Sequence, residues 1–233
     1  VQQIDCWVTE LQTTIYDDPE EDRRIVMLIK EQIMTNGIKG AGDRSFIMID
    51  CETMGLKSSA PVLSIGAVAY NLTFGVFKRF EAFIELQEQF DSGRKPEQDA
   101  FFWWLQQSES ARRDVASRDR MTVAESLAEF CRFYADVQCS LELDDPTELY
   151  MSANGNDFDL PVLESMWGSA PWHYKKKIDF RTLGILYIDE LEWPTSEAQH
   201  TALNDAENQA LVHLKLLSKY PDFLSRIKRA PAK

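Results

Sequence analysis

The sequence predicts an α/β or α+β sheet protein, and three observations carry that prediction. A short continuous apolar run, FIMI at residues 46–49, reads as a central strand covered on both faces. Two further strand-like segments follow it directly. Amphipathic helical patterns then bracket one more strand, and strands first with helices interleaved later is the signature of a sheet flanked by helices.

Residues 1–44 stand apart from this pattern. DDPEEDRRIVMLIKEQIM (17–34) opens with acids and then carries Ile25, Val26, Leu28, Ile29, Ile33 and Met34 at roughly helical spacing. TNGIKGAGDR (35–44), with three glycines, reads as a linker. The expectation is an appended helix and hinge rather than a second folded unit.

The β-rich block begins at Ser45. PVLSIGAVAYN (61–71) and GVFKRFEAFIEL (75–86) are the next strand candidates, the second alternating through Val76, Phe80, Ala82 and Ile84. Helices are expected over 99–115 and 122–137, the latter with Thr122 and Glu125 spaced as a capping box. TELYMSA (147–153) reads as a strand, and DFDLPVLESMWG (157–168) as a helix ending at Gly168. The last helix runs from Thr201 to Tyr220 with Leu203, Ala206, Ala210, Leu214 and Leu217 on one face. The expected organisation is therefore an extension over 1–44, a domain over 45–220 and a basic tail over 221–233.

With 233 residues, 44% of them hydrophobic, the chain has enough apolar surface for one large domain. No run approaches the ~20 apolar residues of a membrane span, and the first residues lack a signal-peptide pattern. Cys6, Cys51, Cys131 and Cys139 form no CxxC pair and no small disulfide framework, so a reduced, cytoplasmic setting is expected. The formal net charge of −13 argues against a general nucleic-acid binder held by a broad positive field. It leaves room for a local basic track, with HYKKKIDFR (173–181) and the tail from Lys219 as candidates.

Chemistry enters where the first strand ends. Residues i and i+2 of a strand share a face, so Asp50 and Glu52 project together, about 7 Å apart along the backbone. Like charges so placed repel unless a cation lies between them or one is protonated. Hard oxygen donors of this kind suit Mg²⁺ or Mn²⁺. In SANGNDFDLPVLE (152–164), Asp157 is expected to cap the helix, whereas Asp159, one step inside it, is placed to face the strand's carboxylates. His200 and Asp205 lie about 140° apart on an ideal helix and cannot share a face. His200 then belongs to the loop or first turn and Asp205 to the helix. His173 and His213 read as ordinary surface or core imidazoles.

Together, D-x-E ending a first strand, Phe158-Asp159 opening a middle helix, and H-x4-D at the last helix resemble the DEDDh class of 3′→5′ exonucleases. The resemblance runs from Ser45 to Tyr220. IDCETMG, FFWWLQQSESAR and NGNDFDLPVLE are most similar to the branch of the T-even phage exonuclease A, through Trp103, Trp104, Gln107 and Arg112. What the resemblance implies is a ribonuclease H-like mixed sheet flanked by helices. It further implies two divalent ions, Mg²⁺ or Mn²⁺, held by Asp50, Glu52, Asp159 and Asp205, with His200 as general base. The substrate would be a single-stranded 3′ end, with DNA favoured over RNA, contacted by Thr53, Met54 and Phe158, and by Trp103, Trp104 and Gln107. Two other readings stand beside catalysis: a nuclease-fold binding module docking through residues 1–44, and a proofreading subunit. The N-terminal helix would suit a homodimer or a protein partner.

Overall fold

The computed structural model describes residues 44–117, 119–141, 149–187 and 201–220; the expected N-terminal helix and linker, His200 and the basic tail lie outside the described residues. The apolar run becomes β1 (Ser45–Thr53), in which Phe46, Ile47, Met48 and Ile49 are wholly buried. β2 (Val62–Asn71) and β3 (Gly75–Phe83) add to one side as an antiparallel meander. On the other side β1 pairs in parallel with β4 (Leu149–Ala153), and β4 with β5 (Lys177–Asp179). The result is one mixed five-stranded sheet of order β3-β2-β1-β4-β5.

Between β3 and β4 the described residues form four helices: α1 (Leu86–Asp91), α2 (Gln98–Gln106), α3 (Glu109–Ser117) and α4 (Val123–Ser140). The single helix expected over 99–115 is thus two. Gln107 is extended at φ −68, ψ 164, and Ser108 Oγ accepts from Ala111 N at 3.2 Å, so the serine restarts the helix after a break. The strand expected to reach residue 86 stops at Phe83, because Glu85 caps α1 by accepting from Gln87 N. The Thr122–Glu125 capping box forms as expected. After β4 come α5 (Asp159–Trp167), a 3₁₀ turn (Tyr174–Lys176), α6 (Phe180–Leu186) and α7 (Ala202–Lys219). α5 ends as expected on Gly168, left-handed at φ 71. Asp157 does not cap it: Phe158 holds the N-cap position without a side-chain bond, and Asp157 is exposed.

The two-residue strand period divides β1 between two cores. Ile47, Ile49 and Cys51 pack with Phe130 and Phe133 of α4 and with Leu160 and Leu163 of α5. Phe46 and Met48 pack on the opposite face with α6 and with Ala206, Ala210, Leu214 and Leu217 of α7. His213 belongs to this second core: it is fully buried, its Nδ1 lies 2.6 Å from Tyr70 Oη, and burial pushes its pKa down to about 3. His173 N-caps the 3₁₀ turn by accepting from Lys175 N. No described helix is long and apolar enough to cross a membrane.

Candidate active site

Because Phe46 and Met48 face α7, the same period sends Asp50 and Glu52 to that face. What lets the helix come close is Gly66, the β2 residue opposite Asp50. A Cβ there would collide with the backbone of Ala202 and Leu203, so the first turn of α7 sits directly on the glycine. Asp205, in that first turn, is thereby delivered to the two strand acids. One carboxylate oxygen from each of Asp50, Glu52 and Asp205 lies within 4.8 Å of the other two.

Asp159 arrives from the other side. β4 stops at Ala153, opposite Ile49, so among the described residues the end of β1 has no strand partner on that side. The Cys51 amide donates instead to Asp159 Oδ1 at 3.0 Å. Between Glu52 and Thr53 the β1–β2 register shifts, the kind of irregularity that re-aims a strand end.

Like charges are the electrostatic neighbours that act on Asp50 and Glu52, and their ionisation reflects it. Burial, with the Asp205 charge adding to it, pushes Asp50 up to about 7. Burial and the charges of Asp50 and Asp205 push Glu52 up to about 8. Asp159 is raised well above the ordinary carboxylate range by burial and Asp50, although the Cys51 amide opposes the rise. The Cys51 thiol, buried beside the same acids, is also pushed well up and stays protonated. Hard, clustered carboxylate oxygens that cannot all ionise unaided have the donor chemistry a divalent cation requires. One residue of the site carried no sequence signal: Gln209, a turn beyond Asp205, donates its Nε2 to Asp50 Oδ1 at 2.9 Å.

The remaining predicted positions are distributed around the end of β1. Trp104 is buried, and its Nε1 donates to Thr53 O at 3.0 Å, pinning α2 to the strand. Thr53 Oγ1 donates to Gly55 O, and Met54 is held by its backbone to Pro61 and Glu97. Trp103, by contrast, is 41% exposed. The Gln107 side chain donates to Trp103 O, and that of Arg112 to Leu105 O. Phe158 is half-buried against the α4–α5 core. Arg181 donates to Asn154 O and packs on Gly155, whose φ of +114 suits glycine alone. Of the lysine tract, Lys176 is buried over the Tyr150 ring and Lys177 pairs with Glu164, which leaves Lys175 as its exposed member. α7 begins at Ala202 with Thr201 as N-cap, and position 200 precedes the described segment.

Solved structures share this architecture. The zinc-bound form of the E. coli ExoI–ssDNA complex matches with TM-score 0.57 and 13% identity over 78% of this chain and 42% of that one. E. coli exonuclease I with a dT13 oligonucleotide matches with TM-score 0.55 and 13% identity over 78% of this chain and 43% of that one. The chain thus spans less than half the length of these neighbours. No curated protein matches it. The model of the 3′-5′ exoribonuclease Rv2179c-like domain matches residues 45–217, from the first residue of β1 almost to the end of α7. The chain belongs to the Rv2179c-like 3′-5′ exoribonuclease domain family.

Proposed function

We propose that this protein is a metal-dependent 3′→5′ exonuclease that shortens single-stranded nucleic acid to mononucleotides, with Asp50, Glu52, Asp159 and Asp205 holding two divalent cations. The observation that carries the reading is the convergence of three carboxylates within 4.8 Å, Glu52 buried and Asp50 and Asp205 half-buried, at the end of the central strand. Bound Mg²⁺ or Mn²⁺ would supply charge neutralisation and Lewis-acid polarisation at the scissile phosphate. The chain's own residues do the rest. The four acids fix the site at one end of β1, and His200 takes the proton of the attacking water as a neutral imidazole. Thr53, Met54 and Phe158 cradle the terminal nucleotide, and Trp103 offers an exposed ring on which a base can stack. Trp104 and Gln107 act from behind as supports.

The family's description names a ribonuclease, whereas the solved neighbours are complexes with single-stranded DNA. RNA is therefore the first substrate to test, against the preference for DNA that the phage-type motifs suggest. The test is a time course on 5′-labelled single-stranded RNA and DNA of one sequence with Mg²⁺ or Mn²⁺. The expected result is a ladder shortening from the 3′ end, abolished by EDTA and by Asp159→Asn. Folded, metal-supplied protein that shortens neither strand would overturn the proposal.

A further inference from the structure

Two buried glutamines illustrate two ways of using an amide. Gln89, 1% exposed, is satisfied at both ends: its Oε1 accepts from Val62 N at 2.8 Å and its Nε2 donates to Val62 O at 2.9 Å. That is a structural clamp between a helix and a strand. Gln209, 5% exposed, is satisfied at one end only. Its Nε2 donates to Asp50 Oδ1 at 2.9 Å, while its Oε1 is buried without a hydrogen-bond partner. The amide cannot be reversed beside an ionised Asp50, because a carboxylate accepts only.

We infer that Gln209 is a positioning residue of the acidic site, holding the Asp50 carboxylate in one rotation so that its second oxygen turns toward Glu52 and Asp205. The inference rests on the reading of that cluster as a cation site and deepens it. An aspartate surrounded by acids has no fixed orientation of its own, since every rotation trades one repulsion for another. A single donor from a buried, packed helix removes that freedom. α7 supplies both elements one turn apart: Asp205 adds charge to the cluster, and Gln209, four residues on, orients the charge opposite. The unpartnered Oε1 has the same logic. An acidic cluster contains acceptors but few donors, and a hydrated divalent cation brings donors into it. Buried polar atoms are rarely left unpaired, so an acceptor left open here marks where such a donor belongs. Outer partners of this kind typically change metal affinity by about 10–100-fold when removed.

The test is a Mn²⁺ titration, by electron paramagnetic resonance of the free ion, on the wild-type chain and on Gln209→Met, without nucleic acid. Methionine keeps the length and burial of the side chain and removes the donor; Gln209→Leu serves if Gln209→Met folds poorly. The expected result is Mn²⁺ affinity weakened about tenfold or more, with an unchanged circular dichroism spectrum. Affinity within twofold of wild type overturns the inference, as does a fall in melting temperature with no change in affinity, which marks a packing role alone. A wild-type chain that binds no Mn²⁺ overturns the inference together with the cation-site reading. An unchanged Gln209→Met overturns the inference alone.

Discussion

α7 presents acids to two regions of the sheet, and the two are treated in opposite ways. Glu207, 4% exposed, meets Arg79 of β3, which donates to it through both Nε and Nη2. Two residues earlier on the same helix, Asp205 meets Asp50 and Glu52, which add like charge. A buried carboxylate with its guanidinium is self-contained and belongs to the fold. Carboxylates that face one another repel, and their clustered oxygens could hold a divalent cation. Burial of acids alone therefore does not mark a site; what marks it is the sign of the nearest neighbours.

The sharpest way to break the contrast is to neutralise one member of the cluster. Asp50→Asn is expected to cut exonuclease rate by roughly a hundred- to a thousandfold. The same change should raise the melting temperature of the metal-free protein at neutral pH by at least about 2 °C, since it removes a charge that burial and Asp205 disfavour. Activity assays and calorimetry in EDTA check the two halves; a lower melting temperature would mean that the acids are already compensated.

The pH dependence follows from the raised carboxyls. The native state holds protons on Asp50, up to about 7, and Glu52, up to about 8, that the unfolded chain releases near the ordinary values of 3.8 and 4.5. Stability of the metal-free protein therefore falls as pH rises from about 4 to about 8. Saturating Mn²⁺ should flatten that slope, which urea denaturation at several pH values would reveal.

Arg79→Met does the reverse, because it leaves Glu207 buried and alone. A loss of about 3 kcal/mol in urea denaturation is expected, with the rate per folded molecule changed less than threefold. Gly66→Ala tests the seat common to both regions. A methyl group there lifts the first turn of α7, and a destabilisation of about 2 kcal/mol should come with weaker Mn²⁺ binding. Destabilisation without any change in binding would mean that Asp205 can follow the shifted helix.

How much of this was legible beforehand depends on what each feature needs. β1 to β4, the capping box at Thr122 and the face of α7 were all written in local pattern. The short β5 and α6 were not, because three strand residues in a lysine-rich stretch leave no period to recognise. The break at Gln107 was hidden by a helical pattern continuing through it. The strand acids were visible because period two put them on one face. Gln209 was invisible because its meaning lies in a partner 159 residues away, and Gly66 because what matters is a neighbour's backbone. The capping role expected of Asp157 failed for a local reason, since Phe158 takes the position that aspartate was expected to fill.

The early end of β4 has one more consequence. Past Ile49, β1 becomes, among the described residues, for a few residues an edge strand in the middle of a sheet. Such edges are templates on which another extended chain can add itself, and proteins ordinarily blunt them with charge or a cover. Here the stopper is Asp159, whose carboxyl occupies the Cys51 amide that an added strand would need first. The same side chain thus keeps the sheet from growing at the place where it must stay open.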